Sequence, residues 1–217
     1  MYWKRVIECY QSRQRKGKVE SMQIDVKNIY KSFGNQVVLN DLSCSFSSGL
    51  IHCVMGESGK GKTTLLRILM GLEKADCGQV IGLNNRRIRA VFQEDRLLEE
   101  NTVVDNILFV MPHSGEKERD VVRIACEEVG LEGSENKLVK ELSGGMKRRV
   151  AILRALLSDF DILLLDEPLK GLDAENKHRV VQFMKSVINQ KDKEHIVIMV
   201  THDKEDVELM EGSVCLL

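Results

Sequence analysis

The sequence predicts an α/β fold in three parts: a mostly parallel sheet with helices on both faces, a small antiparallel β subdomain, and an inserted α-helical subdomain. Three observations carry this. Short apolar runs that read as buried strands, at 50–55, 160–165 and 196–200, alternate with helical stretches. Residues 24–30 alternate apolar and polar, the signature of a half-buried strand. Residues 97–141 instead carry helical spacing with few strand signals.

Taken in order, 24–30 is followed by a turn at Phe33 and Gly34, then by strands at 37–39 and 42–46. A turn at 47–49 leads into the first buried run. A helix from about 65 stops at Gly71. Residues 78–83 and 88–93 read as strands around a turn at Asn84 and Asn85, the second ending on Gln93. Val103, Val104, Ile107 and Leu108 mark one helix, and Val121, Val122, Ile124, Ala125 and Val129 another. A long helix opens near Ser143 and runs to about Leu157. The buried strand at 160–165, a helix at 174–189, the strand at 196–200, a short helix at 204–210 and a last strand at 214–217 complete the chain.

The 217 residues suffice for one large domain, or for a domain with a subdomain. Net charge is −1, without the basic excess of a non-specific nucleic-acid binder, so no nucleic-acid partner is expected. No apolar run approaches the ~18 residues that span a bilayer, so any membrane role is expected to go through a partner. Cys9, Cys44, Cys53, Cys77, Cys126 and Cys215 form no C-x-x-C pair; they read as reduced, mostly buried thiols, not metal ligands. Residues 1–21 form a basic extension with six lysines and arginines against two acids. It lacks the apolar centre of a signal peptide. It reads as a disordered arm or an untranslated stretch, with Met22 as the true start.

The chemistry concentrates at Gly56, Glu57, Ser58, Gly59, Lys60, Gly61, Lys62, Thr63 and Thr64, which fit G-x-x-x-x-G-K-[ST] without mismatch. A strand precedes them and an amphipathic helix follows, the context a phosphate-binding loop requires. The glycines let main-chain N–H groups approach an anion, and the helix N-terminus adds positive dipole character. The spacing assigns Lys62 to the β- and γ-phosphates and Thr63 to Mg²⁺. Lys60 reads as a solvated side chain within the loop.

Other polar residues stand at strand ends, where a parallel sheet gathers its ligands. Asp166 suits a Mg²⁺ site through its water shell, and Glu167 is the candidate to deprotonate an attacking water. Gln93 can bring an amide oxygen to Mg²⁺ and the same water. His202 can contact a γ-phosphate or the water. Ser143, Gly144 and Gly145 open a helix with a capping hydroxyl and a bare surface, a second anion-ready start. A phosphate loop and a second such start in one chain imply a site completed by another copy.

Together these motifs resemble the ATP-binding subunits of ABC transporters over residues ~22–217. The resemblance takes 56–64 as Walker A, Gln93 as the Q-loop, 142–146 as the LSGG signature and 162–167 as Walker B. Gly171, Leu172 and Asp173 match the D-loop, and His202 the switch histidine. Met146 at the end of the signature, with 91–94 and 102–107, is similar to importer ATPases for nitrate, sulfonates and taurine. The resemblance implies a P-loop NTPase (RecA-like) core over 22–217, with the helical subdomain at about 97–148. It implies an ATPase using ATP and Mg²⁺, with Glu167, His202, Gln93 and Lys62 catalytic, and Thr63, Gln93 and Asp166 at the metal. Phe33 is the implied adenine-stacking residue, with Tyr30 as a rival. Ser143 and Gly145 would touch the γ-phosphate held by a second cassette, and Asp173 would lie at that interface.

The implied partners are a second copy, an integral membrane permease and a substrate-binding protein. The implied location is peripheral, on the cytoplasmic face of the membrane. Import is the implied direction, and a soluble non-transport ABC ATPase or an exporter subunit is the alternative. The stretch between Gly71 and Gln93 is compact for the family, and no appended regulatory domain is expected after Asp206. A GTPase reading lacks N-K-x-D, because Asn136-Lys137 and Asn176-Lys177 have no following Asp in register. A small-molecule kinase would need no LSGG helix.

Overall fold

The structure is a computed structural model that describes residues 21–57, 59–190 and 195–217. The basic extension up to residue 20, with Cys9, and the loop residue Ser58 lie outside the described residues. Two compact units divide the rest. Residues 21–90, 160–167 and 195–217 form one, and 91–159 with 168–190 form the other.

The first unit holds two sheets. Strands β1 (Gln23–Phe33), β2 (Gln36–Ser47) and β4 (Cys77–Ile81) make an antiparallel sheet in the order β2-β1-β4. The two strands expected at 37–39 and 42–46 are one continuous strand. Its local disruption is a set of register shifts and not a break. Asn28 and Asp41 both adopt left-handed backbone there, φ 47° and 54°. Asn28 Nδ2 donates to Asp41 Oδ1 at 2.7 Å, and Asn28 N to Ser43 Oγ at 2.9 Å. These side chains take over from ladder bonds where the strand bulges.

The second sheet has the order β5-β6-β7-β3-β8, with β3 (Ile51–Met55), β5 (Ile88–Val91), β6 (Ile162–Asp166), β7 (Ile196–Val200) and β8 (Ser213–Leu216). Its β3/β7, β3/β8 and β6/β7 pairs are parallel. Every residue of β6 and β7 is buried, which is why both read as unbroken apolar runs. Helix α1 (Lys62–Leu69) follows β3 and packs on β6. Its Leu65, Leu66, Ile68 and Leu69 join Ile24, Phe46, Val54, Leu164 and Ile198 in one core.

The second unit is helical. Helix α2 (Val103–Leu108) packs on α3 (Glu116–Glu128) and on α4 (Gly144–Leu156); α5 (Ala174–Gln190) packs on α3 and α4. Val103, Ile107, Val122, Ala125, Val150 and Leu153 are buried there. Thr102 caps α2, accepting from Asp105 N at 3.2 Å. Buried Asn106 keeps its amide fully engaged with the carbonyls of Leu98 and Thr102 and the N–H of Leu98. In the first unit again, α6 (Lys204–Met210) precedes β8.

Cys53 and Cys126 are buried thiols, pushed up to about 11 and about 12 by burial. Against the expectation of mostly buried thiols, Cys44 and Cys215 are half-buried and Cys77 is exposed. Its strand is the outer one of the antiparallel sheet, and four of its five residues face solvent. Among the described residues no cluster of three His, Cys, Asp or Glu is placed to hold a metal ion, and no helix is long and apolar enough to cross a membrane.

Leu164 lies fully buried in β6, within the core shared by sheet and helix. Leu164→Ala is expected to cost about 2–5 kcal/mol, seen as a fall of roughly 5–20 °C in Tm. A shift under about 2 °C would show that β6 lies outside the cooperative core.

Candidate nucleotide site

The loop after β3 owes its shape to Gly61. Gly61 is the N-cap of α1, with φ 85° in the left-handed region, a conformation that L side chains rarely adopt. A Cβ there would lie 2.6 Å from Leu39 Cδ2 and 2.8 Å from the Val38 carbonyl, so β2 closes the space a side chain would need. Gly59 is also left-handed, φ 83°, but open to its surroundings. At the loop's entry, Gly56 faces the Leu217 carbonyl, which a Cβ would meet at 2.9 Å. The loop thus brings its main chain close to the start of α1, where the helix dipole favours an anion.

Lys62 is buried at the first position of α1, and its ammonium donates to the Gly56 and Glu57 carbonyls at 2.7 and 2.8 Å. The loop therefore holds its lysine inward, over its own main chain. Lys60 is exposed, as its position inside the loop suggested. Thr63 Oγ1 donates to Asp166 Oδ1 at 3.3 Å. Asp166 ends β6 and is buried. A hydroxyl and a carboxylate brought together across the sheet are hard oxygen ligands of the kind Mg²⁺ takes alongside phosphates and water.

Glu167 follows immediately, outside the strand, with φ 47°. A left-handed non-glycine residue costs of order 1–3 kcal/mol and persists only where neighbours fix it. Here its N–H donates to the Val200 carbonyl at 2.9 Å, and its Oε1 meets His202 Nδ1 at 2.8 Å. A carboxylate only accepts, so the imidazole tautomer with Nδ1–H completes this bond. His202 is held in turn by the β7–α6 turn. Thr201 Oγ1 donates to buried Asp206 Oδ2 at 3.0 Å and accepts from Asp203 N at 3.1 Å, while Asp203 caps α6. The Thr201–Asp206 pair has no signal in the sequence; a threonine five residues before a helical Asp carries no motif.

Phe33 ends β1, half exposed, with the Lys31 ammonium 5.0 Å from its ring centroid. Lys31 is fixed by Glu73 at 2.9 Å and Asp76 at 3.2 Å, and both partners raise its pKa. Tyr30 is also partly exposed, so exposure alone does not separate the two aromatics.

The remaining expected residues belong to the helical unit. Gln93 does not end a strand: β5 stops at Val91. The carbonyls of Phe92 and Gln93 are taken by Arg148, which removes them from the ladder. The Gln93 side chain is exposed. Ser143 caps α4, its hydroxyl accepting from Met146 N at 3.4 Å. Gly144 has open space around it, and Gly145 would carry a Cβ 3.7 Å from the Gly171 carbonyl. Asp173 accepts from Asn176 N and Nδ2 at 2.9 and 2.6 Å, which lowers its pKa. Arg149 donates to Asn176 Oδ1, and to the carbonyls of Gly145, Val129 and Gly130. This arginine ties the 143–145 turn to the 171–176 segment. No motif or spacing in the sequence points to these contacts of Arg148 and Arg149.

A left-handed glycine loop closing onto a helix start, with a strand-end carboxylate at the first helical hydroxyl, defines a P-loop nucleotide-binding ATPase. The ABC transporter family matches residues 39–170. The chain is 36% identical to the aliphatic sulfonates import ATP-binding protein SsuB 1 of Shouchella clausii, over 90% of this chain and 77% of that protein. It is 35% identical to the spermidine/putrescine import ATP-binding protein PotA of Mycoplasma capricolum, over 92% of this chain and 60% of that one. The chain thus spans about three fifths of the length of that longer relative. The dimeric, post-hydrolysis structure of the ATP-binding cassette MJ0796 with ADP and Pi superposes with a TM-score of 0.76 at 28% identity, covering 89% and 94% of the two chains. The chain belongs to the ABC transporter family: it is an ATP-binding ATPase subunit.

Gly61 and Gly71 separate two costs, since both are left-handed but Gly71 has nothing near its Cβ direction. Gly71→Ala should lose about 1–2 kcal/mol from backbone strain alone. Gly61→Ala should lose at least about twice that, because overpacking adds to strain, together with binding of a fluorescent ATP analogue. Equal losses in urea melts would refute the role given to Leu39 and Val38.

Proposed function

We propose that this chain hydrolyses ATP as one of two cassettes driving solute import through a separate membrane permease. The observation that carries the hydrolytic part is the 2.8 Å contact between His202 and Glu167, beside the Thr63–Asp166 pair. Import rests on the relatives, which are named as import ATP-binding proteins for sulfonates and for spermidine and putrescine. A permease partner and a substrate-binding protein follow from the same reading, as does a peripheral position on the cytoplasmic face of the membrane. A dimer is supported by the dimeric cassette that this chain resembles.

The loop amides and Lys62 bind the β- and γ-phosphates; the ammonium exchanges loop carbonyls for phosphate oxygens. Gly56, Glu57, Gly59, Lys60, Gly61 and Thr64 contribute through the main chain, and we extend this to Ser58. Thr63 and Asp166 would hold Mg²⁺, with Gln93 as a further ligand. Mg²⁺, when bound, offsets charge on the β- and γ-oxygens. Glu167 accepts a proton from water as its oxygen attacks the γ-phosphorus, and the bond to the β,γ-bridging oxygen breaks, leaving ADP and phosphate. His202 orients Glu167 and offers Nε2 toward the transferring group. Phe33 stacks the adenine, its exposed face and fixed lysine neighbour supporting that choice. Ser143, Gly144 and Gly145 meet the γ-phosphate held by the second copy, where the bare helix start suits an anion. Asp173 lies on that interface.

Glu167→Gln should keep ATP affinity but slow turnover at least about 100-fold and leave an ATP-bound dimer visible by size-exclusion chromatography. Normal steady-state hydrolysis in that variant would sink the general-base assignment. Lys62→Ala should abolish nucleotide binding in an equilibrium titration; retained tight binding would count against the loop reading. Uptake of solute into vesicles holding the permease, and not efflux from them, is the outcome that supports import.

A further inference from the structure

One helix of this protein grips the segment that carries Gln93. Arg148 is buried in the second turn of α4. Its Nη1 donates to the Phe92 carbonyl at 2.6 Å, its Nη2 to the Gln93 carbonyl, and Nη1 also lies 3.2 Å from Asp95 Oδ1. Two turns further on, Arg154 Nη2 donates to the carbonyls of Asp95 and Arg96 at 3.2 and 3.0 Å. Four carbonyls among residues 92–96 are therefore held by two guanidiniums of a single helix. The segment needs such holding. It leaves the ladder after Val91, Arg96 is left-handed with φ 46°, and the Arg96 guanidinium stacks over the Phe92 ring at 4.0 Å.

We propose that Arg148 is a positioning residue for Gln93, fixing its main chain to the helix that opens with Ser143, so that the exposed Gln93 side chain is presented from a rigid mount. The proposal rests on the reading of Gln93 as a ligand to the nucleotide's metal and water. A guanidinium is suited to the task because its fork reaches two carbonyls at once, which an ammonium cannot do with fixed geometry. Asp95 gives the buried charge a counter-ion, so the clamp is electrically satisfied within its own unit. Burial pushes the Asp95 carboxyl up while Arg148, Lys147 and Arg154 oppose that shift.

The test is Arg148→Gln in the full chain, with Arg148→Gln/Asp95→Asn as a second variant that leaves no isolated buried carboxylate. Turnover should fall about 10- to 100-fold, as expected for a misplaced group, with the KM for ATP unchanged within about threefold. Amide exchange of residues 92–96 should speed at least about tenfold, while β3 and β7 keep their protection. In a Gln93→Ala background, adding Arg148→Gln should change turnover by less than about twofold, because the two act through one group. A multiplying effect in that background, or unchanged exchange at 92–96, overturns the proposal. Normal turnover in Gln93→Ala alone would instead remove the Gln93 reading, and the positioning role with it. Reduced turnover in Gln93→Ala with normal turnover in both Arg148 variants would overturn the clamp and leave the Gln93 reading standing.

Discussion

The site depends on one backbone constraint: the left-handed turn at Gly61, pressed from behind by Val38 and Leu39. A chain leaving a parallel strand for a helix must reverse within a few residues. Here it does so with no side chain at the closest approach. The antiparallel sheet is therefore more than an appendage, since β2 supplies the wall that fixes where α1 begins. On the other flank, β8 closes in, with Leu217 N donating to Met55 O at 2.8 Å and the Leu217 carbonyl against Gly56. The loop is held at entry and exit. The first helical turn contains no acid, so nothing local competes with a bound anion for the positive end of α1.

A second constraint operates at Glu167. A left-handed glutamate is costly, and a sequence selected for stability alone would place glycine or asparagine there. The strain aims the carboxyl out of the sheet, beyond the buried run that ends in Asp166. Asp166 and Glu167 are adjacent in sequence but differ in surroundings: one is buried against Thr63, the other contacts an exposed histidine. Two neighbouring acids can then do different work, one beside a metal and one beside water.

Much of this was legible in the sequence because it is local. The loop pattern, the apolar runs of β6 and β7 and the capping serine each lie within a few residues. Thr63 and Asp166 are 103 positions apart, yet the loop motif's spacing for one and strand-end placement for the other assigned both to Mg²⁺. The exposure of Cys77 was not legible because an outer strand has the same composition as a half-buried one. The end of β5 was misplaced by two residues because its ladder is interrupted by Arg148, 55 residues downstream of Gln93. Contacts from long side chains to distant carbonyls follow no spacing rule, so Arg148, Arg149 and Arg154 left no readable trace. The bulge in β2 was hidden for a similar reason: Asn28 and Asp41 look like turn residues, and only their pairing shows that the strand continues through them.

The basic run of α4 also shows how one stretch of charge can be divided among separate tasks. Lys147 is paired with Glu99 at 2.8 Å, and Arg148 with Asp95 at 3.2 Å. Arg149 differs: its hydrogen bonds go to three carbonyls and an amide oxygen, all of them neutral. Burial lowers its pKa, but a guanidinium that starts so high stays protonated. Its charge is therefore offset less directly than that of its two neighbours, with Asp173 and Glu132 acting on it through space and not by direct hydrogen bonds. It lies one turn inside the helix start at Ser143, where the macrodipole is already positive. The anion contact proposed for Ser143 and Gly145 then needs no exposed lysine or arginine, and Gly144 leaves open space beside it. The residue that ties the turn to the 171–176 segment thus also adds to the field of the turn, and structural and electrostatic roles coincide in one buried side chain.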